Sequence, residues 1–263
     1  MQPGKKTAIK ALLLILVVAL ALATTVAVVL LSSEQLPLPS ADKSPVKADN
    51  LATVITQSLA GQSSAQAVQA KPILVAQRTL RRGMRGTDVS QLQARLTSLG
   101  YSPGPVDGYF GMQTYYAVVA FQKVNGLSRD GVAGPKTLAA LARPVSIGAR
   151  FGGSHIEINK ARQVLLVVKN GKVVKIITTS TGRRGYTTPS GTFRVYYKPG
   201  YRYYSRAYGG WMIWSSFFYR GIAVHGYSSV PPYPASHGCV RVPIPDSKYV
   251  YNNMPIGSFV YVY

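Results

Sequence analysis

The chain has 263 residues and a mass of 28.4 kDa, and 47% of its residues are apolar, enough to bury a core in one or two domains. Thirty Lys and Arg against eight Asp and Glu give a net charge of +22, and so few carboxylates argue against a carboxylate-built calcium or magnesium site. The single cysteine excludes an intramolecular disulfide and a Cys-rich zinc or iron–sulfur centre, so it is either a small buried hydrophobe or a nucleophile.

Residues 11–31 (ALLLILVVALALATTVAVVLL) carry no charge, and at about 1.5 Å per residue they span a hydrocarbon core of about 30 Å. Lys5, Lys6 and Lys10 precede them with no acidic residue, which keeps residues 1–10 cytoplasmic and exports the rest. Ala21-Leu22-Ala23 resembles a signal cleavage site, but the apolar stretch is longer than a signal core of about 7–15 residues. An uncleaved transmembrane helix is the expectation. Residues 32–78, rich in Ser, Ala, Gln and Pro, read as a flexible linker.

Residues 79–142 read as a compact helical unit. Asp88 and Gln91 fit a capping box ahead of Val89, Leu92, Leu96 and Leu99, and Gly100 ends that helix. Asp107-Gly108-Tyr109-Phe110-Gly111 is echoed 23 residues later by Asp130-Gly131-Val132-Ala133-Gly134, each an Asp-Gly turn before a helix start. Pro135 suits a first helical turn. The stretch resembles the small peptidoglycan-binding domain of wall enzymes. The matches run through Leu92-Gln93, Leu99-Gly100-Tyr101, Val106-Asp107-Gly108, Phe110-Gly111, Ala117-Val118, Phe121-Gln122, Gly126-Leu127 and Asp130-Gly131. The resemblance implies three helices and binding of the wall polymer.

Residues 143–153, with Pro144 and three glycines, read as a second linker. From 154 the pattern turns strand-like. Gln163–Lys169 and Lys172–Ser180 flank Asn170-Gly171, the strongest short hairpin signal. Thr192–Tyr197, Trp211–Tyr219, Gly221–His225 and Ser258–Tyr263 also read as strands, with one helix near Asp246–Asn252. The fold class is therefore multi-domain: a mainly β domain over 154–263, a small helical domain and the N-terminal helix. The charge surplus sits in the β domain, at +12. Outside the membrane the available polyanions are wall polymers and the membrane surface, not nucleic acid. General surface charge is the plainer explanation.

The thiol lies in Ser236-His237-Gly238-Cys239-Val240-Arg241, and His225 ends a strand eleven residues before Ser236. A free thiol is mostly protonated at neutral pH, and a neighbouring imidazole that accepts the proton makes it a nucleophile. His225 and His237 are both candidate partners, and spacing does not choose between them. The N–H groups of Gly238 and Cys239 could face an oxyanion, and Arg241 could hold a carboxylate or the loop. The bland alternative is an inert cysteine in a turn beside two satisfied histidines.

Ile222-Ala223-Val224-His225-Gly226 followed by Ser236-His237-Gly238-Cys239-Val240-Arg241 resembles the signature of the L,D-transpeptidase catalytic domain. Ser180-Thr181-Gly182 and Thr188-Pro189-Ser190-Gly191-Thr192-Phe193 match the same family, with a somewhat short interval between His225 and Ser236. The resemblance implies a mixed β fold and a reaction without metal or organic cofactor. Cys239 would attack a tetrapeptide stem before its terminal D-Ala, giving a thioester. His225, oriented by the Gly226 carbonyl, would act as base and acid. Ser236, His237 and Gly238 would shape the site, and Arg241 would support the substrate. An acceptor amine would resolve the thioester into a cross-link between third stem positions, and carbapenems would acylate the thiol. An L,D-carboxypeptidase using water and a non-catalytic wall-binding protein are the rivals. His155 reads as a surface or linker histidine, and Arg183 and Arg184 as solvated. The aromatics of residues 196–221 read as core or cross-strand pairs, with a stacking lip over the site as the sharper alternative.

Overall fold

Three helices open the structure, a computed structural model that describes residues 78–263. The helix expected over 11–31, and all but the last residue of the first linker, lie outside the described residues. Among those described, no helix is long and apolar enough to cross a membrane. The helices are α1 (Thr87–Ser98), α2 (Met112–Val124) and α3 (Pro135–Ala142). Val89, Leu92 and Leu96 of α1 pack with Ala117, Phe121 and Val124 of α2 and Leu138 and Leu141 of α3.

The capping box is absent. α1 begins at Thr87, so Asp88 lies inside the first turn and no side chain caps Gly86. The Asp88 carboxylate instead pairs with Arg78, at 2.6 Å from Nε. Gly100 does end the helix: its N–H donates to Thr97 O and that of Tyr101 to Leu96 O, the paired bonds of a Schellman ending.

The sequence echo has a physical counterpart. A buried glutamine from the preceding helix plugs each Asp-Gly turn. Gln93 Oε1 accepts the Gly108 N–H at 3.0 Å, while Nε2 is shared among Asp107 Oδ1, Tyr109 O and Thr114 Oγ1. Gln122 repeats the pattern with Gly131 N–H at 2.8 Å, Asp130 Oδ1, Val132 O and Thr137 Oγ1.

Residues 143–153 form no helix or strand, yet they are fastened down. Val145 N–H donates to Asn125 Oδ1, Arg150 N–H to Glu157 Oε1, and Phe151 stacks on Tyr261 at 3.8 Å.

Nine strands and a helix follow. They are β1 (His155–Asn159), β2 (Val164–Lys169), β3 (Lys172–Thr178), β4 (Gly191–Arg194), β5 (Arg202–Ser205), β6 (Gly210–Tyr219), β7 (Ile222–Tyr227), β8 (Val240–Pro243), α4 (Ile244–Asn252) and β9 (Phe259–Val262). The β2–β3 turn has the two left-handed residues of a type I′ hairpin, Asn170 at φ 49° and Gly171 at φ 73°. β1, β5 and β8 carry no expectation from the sequence. β1 (HIEIN) hides two ionisable groups in a strand, and β5 and β8 are four residues each.

One sheet runs β3-β2-β1-β9-β4 and the other β5-β6-β7-β8, with β1/β9 and β7/β8 parallel and the other pairs antiparallel. Between the sheets lie Ile156 and Ile158 of β1, Leu165 and Val167 of β2, Val224 of β7, Val240 and Val242 of β8, and Val250 of α4. The alternate residues of β2, Val164, Leu166 and Val168, face the other way and join the helical core with Ile176. The helical region thus covers the outer face of the first sheet. A second tie is Ser102 Oγ, which donates to Asp246 Oδ1 at 2.6 Å. Asp246 and Glu157 are the two acidic side chains of residues 154–263, and both are buried.

Gln122→Leu should lose the plug of the second turn and strand the Gly131 N–H in the interior. We expect a loss of about 3 kcal/mol in urea unfolding of the whole chain. A midpoint unchanged from wild type would show that the glutamine is not a structural plug.

Candidate active site

β7 and β8 run parallel, with Val224 opposite Val240 and His225 opposite Arg241. Cys239 immediately precedes β8, so the pairing brings the thiol to the strand that carries His225. The loop before it is held by backbone bonds from Ser180–Arg183. The N–H groups of Ala235 and Ser236 both donate to Thr181 O at 3.0 Å. Arg183 N–H donates to Ser236 O, and Ser180 and Arg241 exchange two bonds. The clamp needs Gly182: a Cβ there would lie 1.9 Å from Tyr186 O.

Two hydroxyls lock the loop from inside. Ser236 Oγ donates to Cys239 O at 2.5 Å and accepts the Gly238 N–H at 3.1 Å. Thr188 Oγ1 donates to Gly238 O at 2.7 Å and accepts the Gly182 N–H at 2.9 Å. The Gly238 N–H, expected toward an oxyanion, is therefore spent on Ser236. The positioning part of Thr188 was not read from the sequence, where it stood only as one letter of a Thr-Pro-Ser-Gly match.

His225 is buried, and its Nδ1 lies 3.0 Å from Gly226 O. A carbonyl can only accept, so Nδ1 carries the proton and Nε2 keeps its lone pair. Burial pushes the imidazole down to about 4; the Gly226 carbonyl opposes that shift and Arg241 adds to it. Burial also raises the Cys239 thiol, against smaller lowering effects from the Ala223 N–H and Arg241. Both shifts favour the neutral thiol–imidazole pair over the ion pair.

His237 occupies a different setting. Tyr208 stacks on its ring at 4.9 Å and Tyr186 meets it edge-on at 4.8 Å. Arg183 Nη2 lies 2.8 Å from His237 Nε2, and a guanidinium only donates, so Nε2 is the accepting nitrogen. Partial burial, then Arg183 and Arg241, push this imidazole down. Arg183 is thus engaged at the site although its residue is exposed. Arg241 itself lies over the Tyr227 ring at 4.3 Å.

The β5–β6 hairpin overhangs the thiol. Its Tyr203 and Met212 pack with Phe217, Ala223 and Cys239. Cys239 and His237 are reached from two cavities. One, of about 920 Å³, runs under the hairpin past Arg202 and Ile222. The other, of about 120 Å³, holds His225, Ser236 and Arg241. The aromatics of this hairpin include the expected cross-strand pair Tyr204–Trp211, and Tyr208 forms part of the lip over His237.

His155 is not a surface residue. It lies buried on β1 with Nε2 at 2.9 Å from Glu157 Oε1, because β1 is the middle strand of its sheet. Among the described residues, no group of three or more His, Cys, Asp or Glu is placed to hold a metal.

This geometry has relatives. The family model of the L,D-transpeptidase catalytic domain matches residues 153–262, and that of a peptidoglycan binding domain matches residues 85–141. The solved L,D-transpeptidase of Xylanimonas cellulosilytica is 41% identical, with a TM-score of 0.68, and the match covers 72% of this chain and 98% of that one. The chain belongs to the L,D-transpeptidase family. The chain is also similar, over shorter stretches, to parts of two other proteins. It is 52% identical over 56 residues to the N-acetylmuramoyl-L-alanine amidase CwlM of Mycobacterium tuberculosis, and 47% identical over 64 residues to a spore cortex-lytic enzyme of Bacillus cereus. These matches cover 21% and 24% of this chain, and only 14% and 25% of the length of those curated relatives.

The two pKa directions set a pH dependence. His225 is neutral above about pH 4, and the thiol ionises above the ordinary range, so reactivity rises with pH throughout neutrality. Iodoacetamide should label Cys239 more slowly than free cysteine at pH 7. The rate should still be climbing above about pH 8.5, where a free thiol is half ionised. A plateau beginning near pH 6 would show a preformed thiolate instead.

Proposed function

We propose that the protein cross-links peptidoglycan by cysteine acyl transfer. The observation that carries the reading is the placement of Cys239 and His225 in one cavity, with His225 Nδ1 tied to a carbonyl and Nε2 available as a base. His225 Nε2 takes the thiol proton as Cys239 attacks the carbonyl before the terminal D-Ala of a tetrapeptide stem. The tetrahedral oxyanion is met by the Cys239 N–H, since the Gly238 N–H is held by Ser236. Collapse expels D-Ala, whose amine takes the proton from His225, and leaves a thioester. The third-residue amine of a second stem gives its proton to His225 and displaces the thiol, joining two third positions. Arg241 and Arg183 supply positive charge for stem carboxylates, and His237 shapes the wall of the site.

The larger opening onto the thiol, about 920 Å³, has room for a second peptide beside an acyl-enzyme, which supports the transpeptidase reading. The helical region serves to hold the wall polymer. Residues 11–31 anchor the chain in the cytoplasmic membrane with the catalytic region outside.

Purified protein incubated with a disaccharide-tetrapeptide should release D-Ala and form dimers visible by mass. Cys239→Ala should fold and lose both activities by at least about 10³-fold, and His225→Ala by about 10²–10⁴-fold. His237→Ala should cost only about 10- to 100-fold, as a residue that shapes the site. A carbapenem should add one adduct mass to the wild type and none to Cys239→Ala. D-Ala release by folded Cys239→Ala would sink the mechanism.

For the anchor, external protease on intact cells should digest the chain beyond residue 32, and the mature N-terminus should be intact. A mature chain beginning at Thr24 would instead show a cleaved signal.

A further inference from the structure

Lys123 is a buried amine that the chemistry above does not use. It lies near the end of α2 and is 2% exposed. Its Nζ donates to Gln163 O at 2.9 Å, Thr178 Oγ1 at 2.6 Å and Thr179 O at 2.9 Å. Three acceptors take all three N–H groups, so no donor remains for a ligand. Burial pushes the amine down, to about 6, with Arg129 adding a smaller push, while the three acceptors at hydrogen-bond distance oppose that shift by favouring the protonated form. Burying a charge is costly, and Met or Leu would fill the space without that cost. The use of this lysine therefore lies in what it holds.

What it holds is the root of the clamp on the nucleophile loop. Thr179 N–H donates to Gln163 O at 2.9 Å. The Gln163 side chain then brackets Thr181: Oε1 accepts its N–H at 2.9 Å, and Nε2 donates to its Oγ1 at 2.7 Å. Gln163 is 1% exposed and sits at φ 57°, a conformation that a non-glycine residue keeps only when its surroundings enforce it. Thr181 O accepts the N–H groups of Ala235 and Ser236, and Ser236 Oγ donates to Cys239 O. A continuous run of hydrogen bonds thus leads from α2 to the backbone of the nucleophile. Arg129, beyond the end of α2, adds a contact at 3.3 Å to Pro232 O in the segment leading into that loop.

We propose that Lys123 is a positioning residue through which the helical region sets the geometry of the Ser236–Cys239 loop for acyl transfer. The proposal rests on the cysteine acyltransferase reading. It gives the helical region a part in the reaction beyond holding the wall.

The test uses the full chain. Lys123→Met keeps the length of the side chain and removes its donors. D-Ala release from a soluble disaccharide-tetrapeptide should fall about tenfold or more in kcat, with KM within about twofold of wild type. The ring resonances of His225 and His237 should move, while that of His155, on β1, stays as an internal reference. Gln163→Leu should act through the same run of bonds. The double variant Lys123→Met/Gln163→Leu should therefore lose much less than the product of the single losses.

A folded Lys123→Met protein with wild-type kcat and unmoved resonances overturns the proposal, even if it melts earlier. Losses that simply multiply overturn it too. Should Lys123→Met fail to fold, Thr178→Val removes one acceptor and leaves the lysine in place. Its kcat should fall about threefold, and an unchanged kcat overturns the proposal. If the wild type releases no D-Ala, the enzyme reading fails. The histidine resonances and the Cys239 alkylation rate then still report whether Lys123 positions the loop.

Discussion

β2 has to be covered on both faces, and the arrangement of the molecule follows from that. Its five apolar residues, Val164 to Val168, are all buried, with Leu165 and Val167 against the second sheet and Val164, Leu166 and Val168 against the helices. At roughly 1.5–3 kcal/mol for each fully buried aliphatic side chain, neither face could stay in water without a large loss. The second sheet, which carries His225 and leads out of Cys239, and the helical region are thus pressed onto opposite sides of one strand. The ties from Lys123, Ser102 and the fastened residues 143–153 are set within this sandwich of layers.

The same strand marks the limit of what the sequence discloses. A strand with one wet face alternates, whereas one buried on both faces reads as a continuous apolar run. Val164–Val168 is such a run, and it signals a second covering layer without saying what that layer is. The type I′ hairpin at Asn170-Gly171 and the helix end at Gly100 were legible because they follow from local chemistry, and the doubled Asp-Gly turns because they repeat, although the glutamines that plug them come from the preceding helices. The capping box failed because Arg78, ten residues away, competes for Asp88. β1 escaped notice because His155 and Glu157 break its apolar run; Glu157 is buried and met by the Arg150 and Phe151 N–H groups, His155 Nε2 and the Tyr263 hydroxyl, partners mostly outside the strand.

The candidate site divides along the same line. Cys239, His225, Ser236, His237 and Arg241 share one motif pair and could be found from the chain. Thr188 and Thr181 could not be assigned their parts, because those parts are hydrogen bonds to backbone that is remote in sequence. The Gly238 N–H shows the converse. Its position suggested an oxyanion donor, and only the loop's conformation reveals that Ser236 Oγ has taken it. Desolvation acts on both the Cys239 thiol and the His225 imidazole in the direction of neutrality.

The burial of Glu157 and Asp246 has an effect far from either residue. With both carboxylates inside, every ionised side chain that residues 154–263 present to solvent is a cation, fourteen Lys and Arg in all before any interior pairing. No surface acid neutralises them locally, so that part of the molecule behaves as a fixed-charge anion exchanger. In a polyanionic matrix such a particle partitions by displacing small counterions, and its residence time depends on the valence and concentration of the salt around it. At physiological ionic strength its field reaches only about 8 Å, so retention of this kind acts at contact and leaves diffusion between contacts free.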